Sequence, residues 1–117
     1  MKFKKDHSFE QRREQSEKIM KKYPDRIPVV IERATGGVFV VELEKTKYLL
    51  PYDATIGGFM ATIRRQVVVN SSDGFFIFCG SKNVLVSGSN SFQHLYANYK
   101  DEDGFLYMMY AGENVFG

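Results

Sequence analysis

Tryptophan is absent from the 117 residues, and cysteine occurs once, at Cys79. A single cysteine excludes an intrachain disulfide and is compatible with a reducing compartment. No run approaches the roughly 18 apolar residues of a transmembrane helix, and the first residues lack the apolar core of a signal peptide. Work at a membrane would therefore need an attachment. Neither charge sign dominates: 16 Lys+Arg against 14 Asp+Glu leave a formal net charge of +2. Nucleic-acid binders carry a denser basic patch. Lys2, Lys4, Lys5 and the pair Arg64-Arg65 are the only local excess, and a solvated tail and a helix face account for them. No nucleic-acid partner is expected. Internal repeats and low-complexity tracts are also missing.

What is present is the material of one domain. The chain is 44% hydrophobic and 26% charged, and a domain of this size buries roughly two-thirds of its unfolded surface, enough for a core without metal or disulfides. The 10 Phe and 7 Tyr point to an aromatic core.

Local chemistry sets the elements. Ser8 and Gln11 stand at capping-box spacing, and Tyr23-Pro24 forces an extended backbone, so a helix is predicted from Phe9 to Lys22. Phe9, Ser16, Met20 and Tyr23, with Ile19 beside them, form its thin inner face. Ile27–Ile31 is rich in β-branched residues; Pro28 cannot donate to a ladder, so one edge near the start of this strand should be unpaired. Gly36-Gly37 offers a turn, with strands expected at Val38–Leu43 and Lys47–Leu50. A helix capped by Thr55 should start at Ile56 and turn Phe59, Thr62-Ile63 and Gln66-Val67 inward. Phe75–Cys79 reads as a buried strand and Ser87–Ser91 as a polar loop. Ser91 caps a short helix from Phe92 to about Asn98, and a last strand runs from Phe105 to Ala111. Pattern alone makes this an α+β roll, one of several topologies compatible with that order.

Several segments narrow the choice: Tyr23-Pro24-Asp25-Arg26-Ile27-Pro28-Val29, Lys45-Thr46-Lys47-Tyr48-Leu49-Leu50-Pro51, Ile63-Arg64-Arg65, Phe76-Ile77-Phe78, Tyr99-Lys100-Asp101-Glu102-Asp103-Gly104-Phe105-Leu106-Tyr107 and Gly112-Glu113-Asn114-Val115-Phe116-Gly117. In this order and spacing they resemble the autophagy-related protein 8 family, from about Phe9 to the end. The resemblance implies an α+β, ubiquitin-like β-grasp with a four-stranded mixed sheet and two additional N-terminal helices, the first near Lys2–Asp6. Residues 1–24 would form the helical extension and 25–117 the ubiquitin-like domain with its tail, as one compact unit.

The resemblance also implies an activity. Gly117 would be the site of lipid conjugation. An adenylating activating enzyme and a thioester conjugating enzyme pass it to the amine of phosphatidylethanolamine, and a cysteine deconjugating protease removes it; Phe116 is the tail residue those enzymes grip. Glycine suits the role because the absence of Cβ lets the tail thread a narrow site and keeps the acyl carbon open. Many relatives carry residues beyond this glycine. Either no first cleavage is needed here or the chain is a processed or truncated form. The protein is expected to be cytoplasmic and to become associated with the autophagosome membrane after lipidation.

A second implied activity is recruitment of cargo receptors through a short aromatic-x-x-aliphatic motif that adds as a strand. The first pocket would be lined by Ile19, Pro28, Val30, Lys47, Leu49 and Phe105, the second by Tyr48, Leu50, Pro51, Phe59 and Ile63. Adjacent strand residues cannot share a face, so either Leu49 or Leu50 must lie outside the main core. Departures from the family's usual residues are Ala54 and Thr62, which widen the second pocket, Asp6 and His7 in place of basic residues, Gln66 within a basic run, and a long Gly80–Ser91 loop. Relatives usually have an irregular connection where propensity makes Val38–Leu43 a strand.

Catalytic constellations are not evident, and neither an enzyme nor a cofactor is expected. Cys79 follows an apolar strand with no basic neighbour to activate it. His7 and His94 have no partner at zinc-ligand spacing. Asp101, Asp103 and Gly104 resemble the opening of a calcium loop, but Gly104 comes too early and the closing Glu is missing, so a turn is the better reading. A non-conjugated ubiquitin-like adaptor that only binds peptide motifs is the alternative function.

Overall fold

The computed structural model describes residues 1–117. The elements run α1 (Lys2–Asp6), α2 (Phe9–Lys22), β1 (Arg26–Arg33), β2 (Lys47–Pro51), α3 (Ile56–Val67), β3 (Phe76–Cys79), β4 (Val84–Leu85), α4 (Phe92–Tyr99) and β5 (Leu106–Ala111). The strands form one mixed sheet in the order β2-β1-β5-β3-β4, with β1 and β5 parallel at its centre and the other pairs antiparallel. This is the expected β-grasp class with five strands instead of four. The extra one, β4, is only two residues long and lies within the Gly80–Ser91 loop.

Alternation along the strands divides the interior. Ile27, Val29 and Ile31 of β1, Ile77 and Cys79 of β3, and Leu106, Met108 and Tyr110 of β5 point to the inner face. There they meet Ile56, Phe59, Ile63 and Val67 of α3 and Phe92 and Leu95 of α4. The outer face is covered in two halves. Phe3 of α1 packs with Val30, Phe105 and Tyr107, and Ile19 of α2 joins them. Phe78, Ala34 and Ala111 form the other half, with Phe76, Met109 and the tail residue Val115 against them.

The caps behave as their chemistry demands. Ser8 accepts from the Gln11 amide at 3.2 Å and the Gln11 side chain accepts from the Ser8 amide at 2.8 Å, satisfying two otherwise orphaned donors. Ser91 accepts from the His94 amide at 3.0 Å. Thr55 makes no side-chain cap. The loop before α4 does that work instead: Ile56 N–H donates to Asn90 O (2.8 Å) and Gly57 N–H to Gly88 O (3.0 Å). A Cβ on Gly57 would sit 3.1 Å from that Gly88 oxygen, which explains the glycine.

Three expectations need correction. Val38–Leu43 is not a strand. Val40 and Leu43 enter the core at a spacing of three while Val38, Phe39 and Val41 stay exposed, and the backbone bonds go elsewhere. Val41 N–H donates to Val67 O at 2.8 Å, and Leu43 N–H to the Tyr110 hydroxyl at 2.9 Å. In α3, Thr62 and Gln66 face solvent, because the stripe Ile56, Phe59, Ile63, Val67 already fills the inner face. In α2, Phe9 and Tyr23 are exposed; Arg12, Ser16 and Ile19 form the docking face. The unpaired edge expected at Pro28 is present, since the ladder of β1 with β5 begins at Val29.

Candidate functional site

β2 is an edge strand, paired only with β1 from Arg26↔Pro51 to Val30↔Lys47, so one whole side of its backbone faces outward. Its side chains alternate. Tyr48 and Leu50 turn to the inner core, and Leu49 turns to the outer face. Of the two leucines, Leu49 is the one outside the main core.

Beside Leu49 lies a cavity of about 330 Å³ walled by Ile19, Pro28, Val29, Lys45, Lys47, Tyr48 and Phe105 as well as Leu49 itself. Ile19, Pro28, Lys47, Leu49 and Phe105, all read from the sequence as the first pocket, therefore converge. Val30 stands behind them, fully buried against Phe3, Phe105 and Tyr107. Lys45 was not foreseen as a wall residue; its Nζ lies 4.8 Å from the Tyr48 ring centroid. The rim carries two cations over an apolar floor, since Lys47 Nζ lies 5.4 Å from the Phe3 ring.

Across β2, on the inner face, Tyr48 meets Phe59 edge-on at 5.2 Å, and Leu50 packs against the same core. Ile63 is fully buried beneath them and Pro51 is exposed at the strand's end. Tyr48 and Leu50 are thus the half-buried surface on this side, with Phe59 and Ile63 supporting it. Burial raises the Tyr48 phenol above its ordinary pKa.

A buried carboxylate, read from the sequence only as part of a turn, braces the first cavity. Asp103 is completely buried. Its Oδ2 accepts from Arg12 Nη1 at 2.6 Å and from the Tyr107 hydroxyl at 2.5 Å, and its Oδ1 accepts from Phe105 N–H at 2.8 Å. Ser16 Oγ donates to the Asp103 carbonyl. One carboxylate thereby holds α2, which carries Ile19, against β5 and against Phe105. Burial, then the bond to Asp103, pushes the Tyr107 phenol well above its usual range. Gly104 (φ +94) completes the turn, where a Cβ would lie 2.5 Å from Ser16 Oγ. Lys4 Nζ pairs with Asp101 at 2.9 Å; burial alone would raise the Asp101 carboxyl, but the Lys4 hydrogen bond and its neighbours hold it below the ordinary range. Ser16 at an inner helical position and the Asp-Gly turn were the available signals. The acids of the calcium-like run are occupied by these cations.

The tail, residues 112–117, leaves β5 and folds over the outer face. Val115 packs on the Phe78 cluster, and the Phe116 ring meets Phe78 edge-on at 4.8 Å while remaining half-exposed. Gly117 is exposed. Cys79, next to Phe78, is buried on the opposite face, and burial pushes its thiol up to about 12.

Residues 11–117 match the family described as "Autophagy protein Atg8 ubiquitin like". Autophagy-related protein 8d of Arabidopsis thaliana is 43% identical over 115 residues, covering 98% of this chain and 93% of that protein. Autophagy-related protein 8 of Mycosarcoma maydis is 44% identical over 115 residues, covering 98% and 95%. The crystal structure of Trypanosoma brucei ATG8 superposes with a TM-score of 0.84 at 35% identity, covering 100% of this chain and 98% of that one.

Proposed function

The chain belongs to the Atg8 family of ubiquitin-like autophagy proteins, and on that premise we propose that it is a modifier joined through Gly117 to phosphatidylethanolamine. On the membrane it gathers cargo receptors by their aromatic-x-x-aliphatic motifs. The Gly117 carboxylate attacks ATP at its α-phosphate and pyrophosphate leaves, giving an acyl-adenylate. An enzyme thiol displaces AMP to give a thioester; the lipid amine then attacks the acyl carbon, the amide forms and the enzyme's thiolate leaves. The two acyl chains acquired in this way hold the protein stably where one would hold it marginally. In this reading the protein supplies the acyl group and the enzymes supply the catalysis. Phe116 must lift off Phe78 for the tail to enter an active site, which a half-exposed ring resting on one partner permits.

The observation that carries the recruiting half is the geometry of β2. Its free edge can accept a peptide as a sixth strand, with backbone hydrogen bonds for affinity. In an extended peptide, residues three apart point to opposite faces. An aromatic residue would then enter the cavity beside Leu49 while the aliphatic residue rests on Tyr48 and Leu50 on the other face. The spacing of the motif and the two-sidedness of the strand agree, and Lys45 and Lys47 suit acidic residues flanking it.

Conjugation is tested with the activating and conjugating enzymes of the family and phosphatidylethanolamine liposomes, read by intact mass. A lipid adduct on the wild type that is absent from Gly117→Ala is expected. If neither protein gains mass while the peptide still binds, the non-conjugated adaptor is the correct function.

A further inference from the structure

We propose that the loop from Gly36 to Val41 is a membrane-inserting tip that enters the bilayer to which the tail is joined. This rests on the conjugation reading above and goes beyond it by assigning a second contact with the lipid. Residues 34–41, Ala-Thr-Gly-Gly-Val-Phe-Val-Val, carry no charge, and Arg33 and Glu42 bound them. Phe39 is 67% exposed and Val38 and Val41 are 39% exposed each, whereas Val40 between them is buried in the core. Three apolar side chains therefore face water on a segment whose backbone is pinned at its far end, at Val40 and Val41. Arg33 Nη1 donates to Val40 O at 3.1 Å, and Val41 N–H donates to Val67 O at 2.8 Å. Gly36 and Gly37, at φ +86 and +77, make the reversal that throws Val38 and Phe39 outward. The anchors at Val40 and Val41 limit what must be ordered for these side chains to insert.

The occupant is indicated by what lies beside the loop. A Cβ on Gly37 would come within 2.8 Å of Glu113 Cγ and Val115 Cγ1, and one on Gly112 within 3.1 Å of Val38 Cβ. The exposed tip and the root of the tail are in van der Waals contact. Gly117 is five residues beyond Gly112, so a lipid on its carboxyl lies at most about 18 Å along the chain from Gly112, the residue that Val38 touches. A bilayer holding that lipid is within reach of Phe39. Three partly exposed side chains are too few to draw the free protein to a membrane. Once the tail is tethered, the bilayer is present at high effective concentration, and a contact too weak to act alone becomes populated. Of the nearby charges, Arg33 and Glu42 lie within 3.9 Å of one another, and the exposed Glu113 carboxylate beside Gly37 limits insertion to the depth at which it stays among the headgroups. Insertion at this point would fix which way the protein stands on the membrane, and with it where the β2 edge faces.

The absence of tryptophan allows a direct test, since Phe39→Trp introduces the only indole emitter. Gly117→Cys is coupled to a maleimide-headgroup phosphatidylethanolamine in phosphatidylcholine vesicles containing brominated lipid. Cys79 is fully buried, so coupling is directed to position 117. Tyr52→Trp is the control. Tyr52 N–H bonds Asp25 O ahead of β1, and that eight-residue strand places it about 25 Å from the loop. The expected result is a blue shift and bromine quenching for Phe39→Trp on vesicles, with neither for Tyr52→Trp nor for protein coupled to a soluble maleimide. Emission of Phe39→Trp that stays water-like on vesicles overturns the proposal. So does equal quenching of both reporters, or a blue shift that grows with protein concentration without vesicles, which would mark self-association. Chemical coupling bypasses the enzymes. A failure here leaves conjugation at Gly117 standing, and a failure of enzymatic lipidation leaves this test readable.

Discussion

Replacing Asp103 with alanine removes the one carboxylate on which Arg12, Tyr107 and Phe105 converge, and the structure says how costly that is. Three donors lose their acceptor at once: Arg12 Nη1 at 2.6 Å, the Tyr107 hydroxyl at 2.5 Å and Phe105 N–H at 2.8 Å. Breaking a buried pair by deleting one partner costs about 3–5 kcal/mol, mainly because the other charge is left stranded. The Arg12 side chain keeps 13% of its surface in contact with solvent and still has Asp101 Oδ2 3.9 Å from its Nη1, so its charge is partly rehydrated and partly paired, and the lower end, about 3 kcal/mol, is expected. The exposed Glu10–Arg13 pair at 3.0 Å is the contrast, worth about 0–1 kcal/mol. Urea unfolding reads the difference as a fall in midpoint at constant m. A double-mutant cycle then separates stranded charge from lost packing. In Asp103→Asn, Oδ1 still accepts from Phe105, but the new amide faces Arg12 donor to donor. Adding Arg12→Met removes the stranded cation and should return a good part of the loss, as a coupling of about 1–3 kcal/mol. Should Asp103→Ala cost under about 1 kcal/mol, or should the cycle prove additive, the buried carboxylate is not what holds α2 to β5.

Two further outcomes follow from single side chains. Leu49→Ala should weaken an aromatic-x-x-aliphatic peptide about tenfold by calorimetry, the effect of roughly 1.4 kcal/mol from apolar contact removed at the cavity; Leu50→Ala, at a residue that also packs on the inner core, should lower stability as well as affinity, and unchanged affinity in Leu49→Ala would refute the first pocket. Cys79 governs the alkaline side. Its folded thiol is pushed up to about 12 by burial, while the unfolded thiol titrates near 8.5. The folded state thus retains a proton that the unfolded state gives up. The stability concerned is intact below about pH 8.5 and drains away as pH rises toward 12, at up to about 1.4 kcal/mol per pH unit. Between pH 9 and 10, Cys79→Ala should flatten this slope in urea titrations; parallel slopes for the two proteins would refute it.

What could be read from the sequence was local or periodic. The Ser8–Gln11 box forms with both of its bonds, Tyr23-Pro24 ends α2 where the pre-proline restriction requires, and Ser91 caps α4. The alternation of Tyr48, Leu49 and Leu50 foretold that two adjacent residues of β2 serve different faces. What could not be read depended on partners distant in the chain. Val38–Leu43 has the β-branched composition of a strand, but its donors and acceptors are claimed by the end of α3 and by the Tyr110 hydroxyl, 67 residues from Leu43. Arg12 looked like one more charge on a polar helix because its partner is 91 residues away. Thr55 looked like a cap and is not one, since backbone carbonyls of the Gly88–Asn90 turn arrive first.

The sheet has two edges, and they are treated differently. An open edge is a template for unwanted pairing and is normally kept short, charged or covered. At one side the sheet ends in β4, only two residues long, which offers too little ladder to pair with anything. At the other side β2 has five residues, about 17 Å of backbone, enough for a four-residue motif. Its guards are moderate: Lys45 and Lys47 at one end and Pro51 at the other, with no bulge and no covering helix. The outer face, by contrast, is closed by both ends of the chain, α1 and α2 over Val30 and Phe105 and the tail over Phe78. Such guards oppose parallel pairing with another copy of the same basic edge, where lysine would meet lysine. In the proposed function they admit an extended peptide with acidic flanks and an aromatic side chain for the cavity beside Leu49. On that proposal the open edge selects by charge before any pocket is filled, and the brace at Asp103, which ties α2 with Ile19 to Phe105 beside β5, holds the cavity's two walls apart for the aromatic ring.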